Sequence, residues 1–211
     1  MGIAERKERH KEDIKKRILE AAKELFLEKG FEATSMRNIA EKVEFSPTAL
    51  YLYFKEKNNI IYALHQEGFR MLASKFQVLA MVSDPMERLK AMGRIYMQFA
   101  MENSDFYELM FIMKEPLQYL EGCPDEDWQE GEKVYHALYN TILECQQKRL
   151  FSNIEAHGLS LMIWSTMHGL CTMKIHGQLD HMTSNKNILP EVESKIDYVY
   201  ETFIAVLERM A

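Results

Sequence analysis

The stretch that decides the fold is SMRNIAEKVEFSPTALYLYFKEK, residues 35–57. Ser35 is a good N-cap residue, and a short helix is expected from it to about Val43. Ser46 is a second N-cap candidate. Pro47 follows it, and its fixed φ and missing N–H suit the first turn of a helix, here expected to end near Phe54. Glu44, Phe45 and Ser46 form the turn between the two. Across that turn Ile39, Ala40 and Val43 can face Leu50 and Phe54. Helices this short are unstable alone in water, so they must rest on longer neighbours. One neighbour lies upstream, over residues 13–29, where Ile14, Ile18, Ala21, Ala22 and Leu25 form an apolar stripe at helical spacing. Gly30 then fits a left-handed C-terminal cap. The other lies downstream, from Ile60 to about Leu79, with Ile61, Leu64, Leu72, Phe76 and Leu79 on one side. The second short helix then projects Thr48, Tyr51 and Leu52 outward, as a recognition helix does in a major groove.

The residue types suit DNA. Ser35 and Arg37 open the first short helix, where backbone N–H groups favour phosphate. Tyr51 and Tyr53 can donate hydroxyl hydrogen bonds to phosphate oxygens, and Lys57 supplies a point charge. Thr48, Ala49 and Leu52 can meet base edges or thymine methyls. The basic leader Arg6, Lys7, Arg9 and Lys11 can reach an adjacent groove or backbone, or simply stay solvated. Aromatic residues in a short amphipathic helix are by default core, so the surrounding pattern has to carry the reading.

The whole chain of 211 residues has a formal charge of −6, which taken alone argues against nucleic acid. The average hides an asymmetry. Residues 1–60 carry 13 basic and 11 acidic side chains, residues 61–211 carry 13 and 21. The net charge is therefore +2 where the two short helices lie and −8 elsewhere. Cys123, Cys145 and Cys171 are odd in number and have no metal spacing, which reads as free thiols in a reducing cytoplasm. No apolar run reaches the roughly 18 residues of a membrane span, and the leader has no apolar signal core. A cytoplasmic location follows as an expectation.

Beyond residue 80 the pattern stays helical. Ser83-Asp84-Pro85 is a strong start signal. Helices are expected over 84–102, 105–114, 125–149 and 153–176, punctuated by Pro116, Gly122 and Pro124. Residues 177–188 read as a polar loop, and Pro190 opens a last helix to about residue 210. With no alternating strand pattern, the fold class is all-α with about nine helices. In the last helix Val192, Ile196, Val199, Phe203, Val206 and Met210 are spaced 4-3-4-3-4, a heptad-like seam that suits a dimer interface or packing within the domain.

The run ILEAAKELFLEKGFEATSMRNIAEKV followed by FSPTALYLYFKEK resembles the TetR-type transcriptional regulators over about residues 12–62. The resemblance implies an N-terminal three-helix helix-turn-helix domain over 1–60, with its basic arm. A long helix then joins it to a ligand-binding and dimerisation domain over 61–211. By position, Thr34, Ser35, Arg37, Tyr51, Tyr53 and Lys57 look like phosphate-side residues, and Pro47, Thr48, Ala49 and Leu52 like the base-facing surface. One departure matters: the turn usually holds Gly where this chain has Glu44. If that position is left-handed, a side chain costs about 1 kcal/mol, and an acid there repels phosphate. The family also implies a homodimer with its last two long helices paired across a two-fold. That pairing sets two recognition helices about 34 Å apart on a palindromic double-stranded operator.

Trp164, His168 and Gly169 resemble a W-x-x-x-H-G signature of one subgroup of these C-terminal domains, with packing as the expected role. His157 and His168 are too few for a metal sensor, and no metal or cofactor is implied. The 15 Met residues suit a pocket that adapts to a small apolar or amphipathic effector. Candidates for its lining are Met92, Tyr96, Phe99, Phe106, Met110, Tyr135, Tyr139, Trp164, Met167 and His168, of which about half are expected to be plain core. Neither G-x-S-x-G, a P-loop, H-E-x-x-H nor a Cys pair is present, so an enzyme is not the reading. A protein-interaction adaptor without DNA is the remaining alternative. The expected function is a ligand-responsive transcriptional regulator, most often a repressor in this family.

Overall fold

The computed structural model describes residues 2–122, 128–184 and 192–211, with only the backbone described at 3, 4 and 184. Cys123, Pro124 and Pro190 lie outside these residues. Among the described residues every regular element is helical: α1 (Ile3–Lys29), α2 (Met36–Lys42), α3 (Pro47–Tyr51), α4 (Lys57–Gln77), α5 (Pro85–Glu102), α6 (Ser104–Tyr107), α7 (Glu115–Gly122), α8 (Gln129–Gln147), α9 (Ala156–Ile175), α10 (Gln178–Ser184) and α11 (Lys195–Met210). A 3₁₀ turn (Val78–Met81) follows α4 and a π-helical turn (Glu108–Ile112) follows α6.

The starts follow capping chemistry. Ser35 Oγ accepts from the Asn38 amide, and Ser46 Oγ accepts from the Ala49 amide. The Asp84 carboxylate takes the amides of Met86 and Glu87, with Pro85 in the first turn of α5. The stops differ in detail from the sequence reading. Gly30 has φ 84 and ψ 159, an extended conformation with positive φ that is essentially closed to other residues, rather than a left-handed cap. The basic leader is the first turns of α1, not an extended arm. After α3 the Tyr53 and Phe54 amides still reach the Leu50 carbonyl, so the chain turns rather than continuing as regular helix. Residues 178–184, expected as loop, form α10. Gly177 (φ 72) ends α9, Lys174 pairs with Asp180 at 2.8 Å, and Leu179 is buried. The last helix starts at Lys195 behind the N-cap Ser194, so Val192 precedes it.

Packing groups the chain into two units. The first takes the described residues of Met1–Phe69 and Asp105–Trp128, the second those of Arg70–Ser104 and Gln129–Ala211. The described residues of 105–128 therefore pack with the N-terminal helices. Side-chain contacts far apart in sequence hold them there: Lys23 Nζ lies 2.7 Å from Asp105 Oδ2, and the Phe69 ring meets both Phe111 and Trp128 at 5.3 Å. In the second unit α5, α8 and α9 pack on one another, and α10 and α11 lie against α9.

Candidate DNA-binding face and effector cavity

In the first unit the three-helix core is closed by Ile18, Ala22, Ile39, Ala40 and Leu50, all fully buried. The turn between α2 and α3 satisfies its own backbone. The Phe45 amide reaches the Ala40 carbonyl at 2.8 Å and the Glu44 amide the Glu41 carbonyl at 3.2 Å, the bond pair of a Schellman cap. Such a cap needs a left-handed residue at its centre, and Glu44 has φ 61. The turn thus keeps its shape with a side chain where glycine would be unstrained.

The base-facing candidates stand clear of the core. Pro47 and Thr48 are exposed and Ala49 is half-buried. Tyr51 is exposed, and Leu52, a large apolar residue, is 78% exposed. Tyr53 is half-buried, its ring against Phe45. Arg37 is exposed and its Nε pairs with Glu41 at 3.0 Å. Ser35 Oγ, besides capping, donates to Asn38 Oδ1. Two candidates have other partners. Thr34 is buried, and its hydroxyl is engaged with the carbonyl oxygens of Leu25 and Gly30. The Lys57 ammonium donates to the carbonyls of Phe31 and Thr34 and sits 4.1 Å above the Phe31 ring. Both residues brace the α1–α2 connection from which Ser35 starts α2.

The second unit holds a partly open apolar cavity with about 40 Å³ of free volume. One water needs roughly 10–15 Å³ on this measure, so the cavity in this conformation holds no more than a few waters. Of the ten residues proposed for an effector pocket, Met92, Tyr96, Trp164 and Met167 line it. The others lie elsewhere. Phe99 is core of α5 without reaching the cavity. Phe106 and Met110 belong to the first unit: Phe106 lies under the Lys23 ammonium, and Met110 packs where a Cβ on Gly68 would stand. Tyr135 and Tyr139 stack with His157, which shares a 2.7 Å hydrogen bond with the Tyr135 hydroxyl. His168 is half-buried outside the lining, and burial lowers its pKa. Sequence reasoning missed Phe76, Gly93 and Tyr200. The signal for Gly93 is its place on the same stripe as Leu89, Met92 and Tyr96. A Cβ there would stand 2.8 Å from the Tyr200 ring, whose hydroxyl donates to the Lys90 carbonyl.

The six residues of the expected dimer seam do not share one environment. Ile196 is buried with Tyr200, Ile204 and Leu207, and Phe203 lines the cavity. Val192 and Val199 are half-buried, while Val206 and Met210 are exposed. On α9, Leu161 and Met162 are exposed as well, and a Cβ on Gly169 would meet nothing. Among the described residues Gly169 therefore serves no close approach. Among the described residues no helix is long and apolar enough to cross a membrane. Cys145 and Cys171 are free and buried, and burial pushes their thiols up to about 11 and about 12.

A Schellman turn followed by a short N-capped helix with an exposed outer face is the geometry of a helix-turn-helix, and a second helical unit holds an apolar cavity. Residues 18–64 match the description "Bacterial regulatory proteins, tetR family", and residues 89–191 match "Tetracyclin repressor-like, C-terminal domain". The chain belongs to the TetR family of helix-turn-helix transcriptional regulators. It is 32% identical over 95 residues to the HTH-type transcriptional activator FasR of Mycolicibacterium smegmatis, a match covering 44% of this chain and 43% of that one. The match thus spans less than half the length of that relative. In fold it is similar to the fatty acid degradation regulator FadR from Bacillus halodurans (TM-score 0.71, 15% identity, 92% and 93% of the chains). It is also similar to a Clostridium perfringens putative fatty acid metabolism regulator (TM-score 0.68, 14% identity, 92% and 98%).

Proposed function

We propose that this chain is a ligand-responsive repressor that binds a palindromic operator as a homodimer and leaves it when a small apolar or amphipathic effector fills the cavity. The observation that carries the reading is the exposed α3 surface, with Leu52 at its tip, in a chain whose other unit holds an apolar cavity. The exposed apolar side chains of α9 and α11, Leu161 (55%), Met162, Val206 (48%) and Met210, support a second copy as the dimer partner. The titles of two structural neighbours concern fatty acid metabolism, which supports an effector with a long apolar body. One helix, α4, carries both Lys57, which braces the α1–α2 connection, and Phe76 of the cavity wall. An effector that displaces Phe76 therefore biases the helix on which the recognition unit is built, with a coupling of about 1–3 kcal/mol typical of such switches.

The test is a gel shift and footprint with fragments upstream of the gene, over a salt series and with candidate effectors. The expected result is salt-sensitive protection of an inverted repeat whose half-site centres lie about 34 Å apart. A purified dimer that protects no fragment sinks the proposal. The Mycolicibacterium relative is named an activator, so activation is the second reading. A reporter that falls rather than rises on deletion of the gene selects it.

A further inference from the structure

Beside the apolar cavity, the second unit has a cleft of about 370 Å³ between the end of α4, the first turns of α5 and the length of α8. Phe76 and Met92 line both spaces and form the partition between them. The two spaces differ in chemistry. The first cavity is walled by apolar and aromatic side chains, while the cleft carries Arg88, Lys133, Asn140 and Glu144. Arg88 is held rigidly: its Nε and Nη2 donate to the Val82 carbonyl at 3.0 and 2.9 Å. Its Nη1 donates to a single oxygen of Glu144 at 2.8 Å, which leaves part of the guanidinium fork unused. The side chain of Arg88 is only 17% exposed, that of Glu144 44%. The cation is thus fixed and largely covered, and the anion that pairs with it sits at the solvent side.

We propose that this cleft is the head-group subsite for an amphipathic carboxylate. The ligand's carboxylate takes Glu144's place on Arg88, and its apolar chain passes between Phe76 and Met92 into the cavity. The inference rests on the effector reading above and names the chemistry of that effector. A covered guanidinium must keep an anion, since solvent cannot replace one there. Half-exposed Glu144 regains water on release, so the exchange costs little. A carboxylate on the fork can make two parallel hydrogen bonds where Glu144 makes one, and such bidentate pairs are the stronger. Lys133 lines the same cleft with its side chain exposed to solvent, and its ammonium lies 3.0 Å from Glu130. The partition can yield because Met92 is an unbranched thioether chain that repacks readily.

The experiment titrates the full-length protein with decanoate and with 1-decanol, following the fluorescence of Trp164 in the cavity wall. Decanoate is expected to bind at least about tenfold more tightly, the scale of a hydrogen bond to a charged group. Glu144→Gln, which leaves Arg88 on Val82, is expected to tighten decanoate severalfold and leave decanol unchanged. Arg88→Gln is expected to weaken decanoate alone. If that variant does not fold, the Glu144 variant still decides the matter. Equal binding of acid and alcohol overturns the head-group site while leaving the apolar effector reading intact. So does a Glu144 variant with unchanged decanoate affinity. Binding of neither compound overturns both.

Discussion

The Lys57 ammonium lies 2.6 Å from the carbonyl oxygen of Phe31 and 4.1 Å above the same residue's ring. A lysine that the sequence offers as a point charge for phosphate is in the structure a clamp on the α1–α2 connection. Replacing it by Met keeps the apolar stem and removes the hydrogen bonds. We expect a loss of about 1–3 kcal/mol of stability, the range for hydrogen bonds to charged groups. DNA affinity should fall while the slope of log affinity against log salt barely changes. For Arg37→Gln, an exposed cation, the slope should fall by about one unit. A Lys57 variant that loses slope as Arg37 does would return it to the phosphate side.

Glu44 holds a left-handed conformation at the centre of the turn (φ 61). Glu44→Gly should raise the unfolding free energy by up to about 1 kcal/mol, because glycine adopts this φ without steric cost. Glycine also widens the unfolded ensemble, which trims the gain. Removing an acid beside the recognition helix should also tighten DNA binding most at low salt. Chemical denaturation and binding at two salt concentrations check both; a less stable variant would show that the Glu side chain makes up its own strain.

Gly93 leaves no room for a Cβ against Tyr200, with 2.8 Å to the ring. Gly93→Ala should push that ring toward the cavity and reduce the affinity of any apolar effector by tenfold or more, at a stability cost of about 1–3 kcal/mol for overpacking. DNA binding without effector should persist. Effector titration by calorimetry is the measurement, and unchanged affinity would place the ligand elsewhere.

His65 is 1% exposed, neither ring nitrogen has a hydrogen-bond partner, and the ring edge meets Phe69 at 4.9 Å. Burial pushes its pKa down to about 4, against an ordinary 6.5. Between these values the unfolded chain binds the proton and the folded chain does not. Stability contributed by the neutral ring is complete above pH 6.5 and declines as pH falls toward about 4. The slope is at most about 1.4 kcal/mol per pH unit. His65→Phe should flatten this decline in urea midpoints taken at pH 7, 5.5 and 4.5. Parallel declines in both proteins would assign the acid sensitivity to other groups.

Val206 and Leu161 are exposed apolar residues on α11 and α9. Val206→Glu or Leu161→Glu should shift a dimer toward monomer in sedimentation and abolish operator binding at nanomolar protein. Fold and thermal midpoint of the monomer unit should change little, since neither side chain is buried in its own chain. A variant that remains dimeric moves the interface off this face.

Much of the first unit was legible because its signals are local. Ser35, Ser46, Asp84 and Pro85 act on backbone groups within three residues, so caps can be read one segment at a time. The apolar stripe of α1 and the buried faces of α2 and α3 follow from helical period alone. Locality also explains the failures. Residues 178–184 look polar, yet form α10 because the chain brings Lys174, Asp180 and Leu179 together.

By itself the sequence determined that the chain is helical, where the recognition helix starts, and which side chains that helix must turn outward. Periodicity and capping are short-range physics, and they leave few alternatives over residues 35–57. Only the tertiary structure decided that Lys57 and Thr34 serve carbonyl oxygens, that Phe106 and Met110 belong with the N-terminal helices, and that Phe76, Gly93 and Tyr200 wall the cavity. Each of these depends on which residues, tens of positions apart, come within about 4 Å, and an apolar residue at helical spacing looks the same in a core as in a cavity wall.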